Sequence, residues 1–279
     1  MQNNTIDNYA VFGNPIQHSK SPWIHQRFAE LTQQHLRYVA QLVDVGDFQR
    51  AAETFFKSGK GLNVTVPFKL DAFQFAACHT DRAKRAAAVN TLALQADGRV
   101  LGDNTDGVGL INDIKNNLTW EISKKTVLIL GAGGAVRGIL EPLIKEKPGQ
   151  LVIANRTLAK AQHLAEQFSD IGKIDICSYD DLAHCQFDMV INGTSASLQG
   201  NLPPLPQGLI HQHSCCYDLM YSANTTVFNS WAAQAGAKHL ADGLGMLVEQ
   251  AAEAFYLWRN IRPETKTVIA ELRALLMTQ

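Results

Sequence analysis

KTVLILGAGGAVR, residues 125–137, decides how the rest of the chain is read. KTVLIL is a continuous apolar run of strand length, as expected of a central parallel strand covered on both faces. The glycines follow at once. Gly131 permits a tight turn, Gly133 lets backbone come close to a pyrophosphate, and the helix that follows offers N-terminal amides with partial positive charge. A strand, such a turn and a helix together form a dinucleotide-binding arrangement. Val136 fills the third position of the usual G-x-G-x-x-G/A, where a branched side chain would hold helix and strand apart; an ordinary glycine-bearing loop is the competing reading.

The next strand, in LVIANR, ends where a carboxylate would accept the ribose 2′-hydroxyl of NAD. Asn155, Arg156 and Thr157 stand there instead, with Lys160 one helical turn further on. A guanidinium, a hydroxyl and an ammonium suit a 2′-phosphate, so NADP is expected over NAD. The alternative is that Thr157 only caps a helix while Arg156 and Lys160 are solvated.

Outward from this core, apolar runs of strand length alternate with amphipathic helical stretches, the pattern of α/β architecture. YAVFG, LRYVAQLVDV and GLNVTV precede the glycine turn, with shorter strands expected in VNTLAL and RVLG. Segments around KIDICS, FDMVING and CCYDLM follow it. Ser21 is expected to cap a helix whose first residue is Pro22, and DGVGLINDIKNNL reads as a connecting helix. From Leu244 onward the chain is helical. At 279 residues with 46% hydrophobic content, two domains are expected.

Net charge is −1, which gives no reason to expect nucleic acid or an anionic membrane as partner. The N-terminus lacks a basic region followed by an apolar run, and no window approaches eighteen apolar residues, so a soluble, unexported protein is expected. The five cysteines show no C-x-x-C spacing and suit a reducing cytosol. His211 and His213 form an H-x-H pair without an obvious third ligand, and no metal is expected.

Several polar residues fall at the carboxyl ends of expected strands, where open α/β sheets bind ligands. Ser19 and Ser21 precede a helix and suit a carboxylate. Thr65 and Lys69 follow the third strand, where a lysine either snorkels to water or presents its ammonium to a cleft. Asn90 opens VNTLAL, and Asp106 ends GDNTDG, where an acid also suits a helix cap.

SKSP, NVTVPFK, AVNTL, GDNTDG, GAGGAVR, NRT, NGTS, YDLMY and DGLGMLVEQA, in this order, closely resemble the NADP-dependent bacterial shikimate dehydrogenases over essentially the whole chain. The resemblance implies reduction of 3-dehydroshikimate to shikimate with NADPH, in the pathway to chorismate and the aromatic amino acids, by a cytoplasmic monomer or homodimer. It implies two α/β domains flanking a cleft: a mixed, mostly parallel substrate domain over 1–106 and 241–279, to which the C-terminal helices return, and a Rossmann-type NADP domain over 107–240. By the same resemblance Lys69 and Asp106 are the catalytic pair. Ser19 and Ser21 take the substrate carboxylate, and Thr65, Lys69, Asn90, Asp106, Tyr221 and Gln250 take the ring and its hydroxyls. Gly131, Ala132, Gly133, Gly134, Ala135, Asn155, Arg156, Thr157, Lys160, Leu219, Gly243, Met246 and Asp81 are the implied cofactor positions. Val136 is tolerated in the family, and Leu219 stands where methionine is frequent. A quinate/shikimate dehydrogenase using NAD or NADP is the nearest alternative, and a non-catalytic regulator binding shikimate and nucleotide is a remoter one.

Overall fold

Residues 6–194, 196 and 200–278 are described by the computed structural model, so Ser195 of NGTS and the two chain ends lie outside the described residues. The chain divides into two compact units, Met1–Gly109 with Val248–Leu272 and Leu110–Leu247 with Arg273–Gln279. Its three changeovers fall inside helices and not in loops: α5 (Asp106–Asn112), α9 (Leu244–Arg259) and α10 (Lys266–Met277).

In the first unit, β1 (Asp7–Gly13), β2 (Leu36–Leu42), β3 (Gly59–Val64), β4 (Cys78–His79), β5 (Thr91–Leu94) and β6 (Val100–Asp103) form one sheet in the order β2-β1-β3-β5-β6-β4. The sheet is mixed: β1 runs parallel to β2 and β3, whereas β5 is antiparallel to both β3 and β6. Helices α1 (Ser21–Thr32), α2 (Phe48–Phe55), α3 (Lys69–Phe75) and α4 (Asp81–Ala86) connect the strands. The alternation expected of strands sorts the apolar residues to two faces. Phe12, Leu62 and Leu92 pack with Phe48 and Phe68 on one side, and Tyr9, Val11 and Tyr38 gather with Trp258 on the other. Trp258 donates its indole N–H to the Leu92 carbonyl at 3.0 Å and lies so close to Gly61 that a Cβ there would enter the indole ring. Helix α9 therefore ties β3 to β5 at the base of the strands that carry Asn63 and Thr91.

In the second unit, β7 (Thr126–Leu130), β8 (Gln150–Ala154), β9 (Asp175–Cys177), β10 (Met189–Asn192), β11 (Cys215–Asp218) and β12 (His239–Asp242) form a wholly parallel sheet in the order β12-β11-β10-β7-β8-β9. Helices α6 (Gly134–Lys145), α7 (Leu158–Gln167) and α8 (Val227–Gln234) belong to it. The continuous apolar run of β7 is explained by burial on both faces: Val127 and Ile129 pack with Ile139 and Leu143, Leu128 and Leu130 with Leu182 and Phe228. Strand order reverses between β7 and β10, which marks the point where such sheets bind ligands. The connecting helix expected around 106–118 is α5 followed by a π-helical turn over Asp113–Asn117. From Val248, α9 and then α10 (Lys266–Met277) as far as Leu272 belong to the first unit.

His25 on α1 is fully buried against aromatic rings, stacked on Tyr38 with centroids 4.2 Å apart, and neither ring nitrogen has a described hydrogen-bond partner. Burial drives its pKa down to about 3, opposed by the neighbouring Asn63 amide. The unfolded chain therefore binds a proton near pH 6.5 that the folded chain refuses, and the stability tied to neutral His25 is full above that value and lost as pH falls toward about 3. His25→Phe should flatten this part of the stability-against-pH curve by several kcal/mol at its acid end, as read by urea denaturation between pH 7 and 4. An unchanged slope would show that His25 is not the group responsible.

Candidate active site

Two loops of the first unit bring a lysine and a carboxylate together. Past β3, the Thr65 N–H donates to the Phe12 carbonyl at 2.9 Å and the Phe68 N–H to that of Thr65 at 3.0 Å, so the chain turns and Lys69 opens α3. Past β6, the buried Asp103 carboxylate accepts from the Arg82 guanidinium at 2.7 and 2.5 Å and from the Thr80 hydroxyl at 2.5 Å. Arg82 also reaches Glu253 at 3.0 Å. Asn104 Oδ1 then accepts the N–H of Asp106 at 3.2 Å, and Asp106 is the first residue of α5 and not the residue that precedes it. Its Oδ2 lies 2.5 Å from Lys69 Nζ and its Oδ1 accepts from Asn90 Nδ2 at 2.7 Å. The lysine side chain is 31% exposed and the carboxylate 14%, so the pair faces solvent on one side only.

Behind Asn90 lies a row of buried polar side chains that sequence reading did not single out. Thr105, Thr91 and Asn63 are hydrogen-bonded in succession, and the Tyr38 hydroxyl donates to Asn63 Oδ1 at 2.7 Å. Burial pushes the Tyr38 phenol well above its usual range, opposed by the Ser21 side chain beside it. Ser21 is thus joined to the row that ends at Asp106. It is the first residue of α1 and not its cap: Lys20 holds the cap position, and the Ser21 N–H donates to Ser19 Oγ at 3.3 Å. Gln250 reaches the same group, with Oε1 3.4 Å from the Thr105 hydroxyl, and its backbone lies where a Cβ on Gly109 would be. One clue was present in the sequence: Asn63 and Thr91 are polar residues inside apolar strands, and a polar group buried in a sheet must be partnered.

In the second unit the glycine turn has the geometry its sequence requires. Gly131 has φ of +99°, a left-handed conformation that favours glycine. Around Gly133 and Gly134, at the start of α6, no described atom lies within 4 Å of an added Cβ, and both, like Ala135, are exposed, with Ala132 half-buried. Such an open cradle of backbone fits a pyrophosphate. Val136 is fully buried, and its methyl occupies the space that a Cβ on Gly193 would need. The large residue on α6 is matched by a missing one after β10. Past β8, Arg156, Thr157 and Lys160 are exposed, Asn155 donates to the Thr157 carbonyl at 2.7 Å, and the Thr157 hydroxyl caps no helix amide among the described residues. These groups fit a phosphate-bearing adenosine. Gly243 lies directly against the Leu219 carbonyl, where a Cβ would not fit, and its N–H donates to the Met220 carbonyl at 3.0 Å. The Met246 N–H donates to the Tyr217 hydroxyl at 3.2 Å. Tyr221 is half-buried; burial and the Asp242 carboxylate raise its pKa. Asp81 opens α4 in the first unit with its side chain 90% exposed, paired with Lys84 at 3.4 Å, and it is Arg82 beside it that reaches inward. His211 Nε2 lies 3.8 Å from Asp188.

A parallel sheet with a glycine cradle at its switch point, and a lysine and carboxylate on a separate α/β unit, define a nucleotide-dependent oxidoreductase class. The chain belongs to the shikimate dehydrogenase family. It matches the family models for the shikimate dehydrogenase substrate binding domain over residues 11–92, shikimate/quinate 5-dehydrogenase over 113–199 and the shikimate 5′-dehydrogenase C-terminal domain over 243–273. It is 60% identical to the shikimate dehydrogenase (NADP(+)) of Cellvibrio japonicus, covering 96% of this chain and 97% of that one. Among solved structures it is similar to an Ael1 enzyme from Pseudomonas putida, with TM-score 0.91 at 46% identity over 95% of this chain and 98% of that one. It is also similar to the Thermus thermophilus shikimate 5-dehydrogenase in complex with NADP(H) and shikimate, with TM-score 0.85 at 28% identity over 98% of this chain and 100% of that one.

The fit between Val136 and Gly193 gives a direct test of the cradle. Gly193→Ala should lower stability by about 1–3 kcal/mol through overpacking and weaken NADP binding. Adding Val136→Ala should recover most of both, as measured by thermal unfolding and fluorescence titration with NADP. Additive losses in the double variant would contradict the fit.

Proposed function

We propose that the chain is an NADP-dependent shikimate dehydrogenase, reversibly reducing 3-dehydroshikimate to shikimate as a cytoplasmic monomer or homodimer. The observation that carries this reading is the contact of Lys69 with Asp106, held from the other side by Asn90. Membership of the family makes that contact the expected place of chemistry.

In this reading the Ser19 and Ser21 hydroxyls hold the substrate carboxylate, and Thr65, Asn90, Tyr221 and Gln250 take the ring hydroxyls. The Lys69 ammonium donates a hydrogen bond to the ketone oxygen, stabilises the negative charge that develops there and passes it a proton; in the reverse direction the neutral amine takes the proton from the hydroxyl. The Asp106 carboxylate fixes the ammonium by accepting one of its hydrogens and accepts from the substrate hydroxyl. The backbone from Gly131 to Ala135 holds the pyrophosphate, and Arg156, Thr157 and Lys160 take the 2′-phosphate. Leu219, Gly243 and Met246 would line the nicotinamide end. Bound there, the nicotinamide supplies a hydride to the ketone carbon or receives one from the alcohol carbon.

Shikimate and quinate crossed with NADP and NAD, followed by the ultraviolet absorbance of reduced nicotinamide, test the assignment. Turnover should be greatest with shikimate and NADP. Lys69→Ala should lower kcat by roughly 10²–10⁴ with a modest change in the KM for shikimate, as expected for loss of an acid/base group. A kcat equal to that of the unsubstituted protein would remove Lys69 from the chemistry, and absence of turnover in all combinations would favour a ligand-binding regulator.

A further inference from the structure

We infer that Thr91 is a positioning residue for proton transfer at Lys69: its buried hydroxyl fixes the direction of the Asn90 amide and, through it, the Asp106 carboxylate. The inference rests on the dehydrogenase reading above.

The direction of each hydrogen bond in the row is fixed by groups that can only donate or only accept. The Thr105 backbone N–H, which can only donate, points at Asn90 Oδ1 from 2.9 Å. The Asn90 NH₂ is therefore on the other side, where it donates to Asp106 Oδ1 at 2.7 Å. Asn63 is oriented in the same way, since its Nδ2 lies 3.3 Å from the Asn90 carbonyl, which can only accept. That same Nδ2 donates to Thr91 Oγ1 at 3.0 Å. The Thr91 hydroxyl, having received one hydrogen bond, has its own proton to place. Asn90 Oδ1 is 2.9 Å away and Thr105 Oγ1 3.4 Å, so the shorter and stronger bond is the one to Asn90.

One continuous run of donors therefore leads from Tyr38 through Asn63, Thr91 and Asn90 to Asp106, whose two oxygens accept from Asn90 and Lys69. Thr91 and Thr105 are fully buried and Asn90 and Asn63 nearly so, which puts the row out of reach of water that would scramble its directions. Sheet register makes the arrangement possible. Asn63 pairs with Thr91 across β3 and β5, and Thr91 with Asp103 across β5 and β6, so Thr91 stands between the relay and the base of the Asp106 loop. Loss of the hydroxyl leaves Asn63 Nδ2 without its nearer acceptor and Asn90 Oδ1 without one of its donors. The Asn90 amide then moves more freely, and the Lys69 ammonium is less often aligned for the proton step.

Thr91→Val removes the hydroxyl at nearly constant volume, and Thr91→Ser keeps it. Thr91→Val should lower kcat roughly three- to tenfold, the effect of about one neutral hydrogen bond, while the KM for NADP stays the same. The decisive readout is the solvent deuterium isotope effect on kcat, which should rise in Thr91→Val because proton transfer becomes slower relative to the other steps. In Thr91→Ser both kcat and the isotope effect should return close to those of the unsubstituted enzyme. A variant that merely contains less active protein would lose rate and keep the original isotope effect, and that result overturns the inference. So does an unchanged kcat in Thr91→Val, or a loss in Thr91→Ser as large as in Thr91→Val. If Thr91→Val does not fold, Thr91→Ala carries the same expectations; failure of both to fold while Thr91→Ser folds marks the residue as structural and overturns the inference. An unsubstituted protein inactive with shikimate and NADP overturns the dehydrogenase reading itself, whereas an active one isolates the fate of Thr91.

Discussion

Asp106 carries two hydrogen bonds on two oxygens, one from Lys69 at 2.5 Å and one from Asn90 at 2.7 Å, and the first unit is organised so that both can be made. A carboxylate this far withdrawn from water needs donors, and a lysine beside it needs an acceptor. Neither could be placed by its own loop alone. The Asp106 loop is anchored at Asp103, by Arg82 and Thr80, and at Asn104, whose side chain accepts the Asp106 N–H. The Lys69 turn is anchored at Thr65, which hydrogen-bonds to the end of β1. A methyl in place of the Gly13 hydrogen would meet Thr65 Cγ2 at 2.5 Å, so the close approach of β1 to this turn depends on glycine there.

The sheet supplies the third anchor. Antiparallel β5 sits between β3 and β6, and its register lines up Asn63, Thr91 and Asp103 across three strands. A slip of one residue would send all of these side chains to the opposite, apolar face, at the cost of several buried and unpaired polar groups. Register and polar satisfaction therefore enforce each other, and the same row that would penalise a slipped sheet gives the Asn90 amide its direction. In the second unit the equivalent constraint is steric. The φ of +99° at Gly131 and the exchange of bulk between Val136 and Gly193 bring α6 against the ends of β7 and β10 while leaving Gly133 and Gly134 open.

Much of this was legible in the sequence, and unevenly so. The β7 run and its glycine turn are local features, and both stand where the pattern placed them. Val136 counted against the turn only because its compensating glycine lies 57 positions later, at 193, a relation no local pattern contains. Lys69 and Asp106 were expected to meet from the motifs that contain them, and they do. Their support was not: Asn63, Thr91 and Thr105 looked like ordinary polar residues of strands and turns, and only the antiparallel register shows that they form one row. Short elements such as the two-residue β4 and the helices α3, α4 and α8 were passed over because they offer too few residues for a periodicity to show. The cap expected at Ser21 lies one residue earlier, at Lys20, because the helix already begins at Ser21.

Whether Lys69 and Asp106 act as one unit is decided by a double-mutant cycle on kcat for shikimate oxidation. Lys69→Ala, Asp106→Asn and the double variant are compared with the unsubstituted enzyme, each shown to be folded by its thermal transition. If the two side chains serve a single proton-transfer device, the double variant is no slower than the slower single one, because the second substitution damages what the first has already disabled. Losses that multiply, so that the two effects add as free energies, would mean that the residues work independently and would contradict the account.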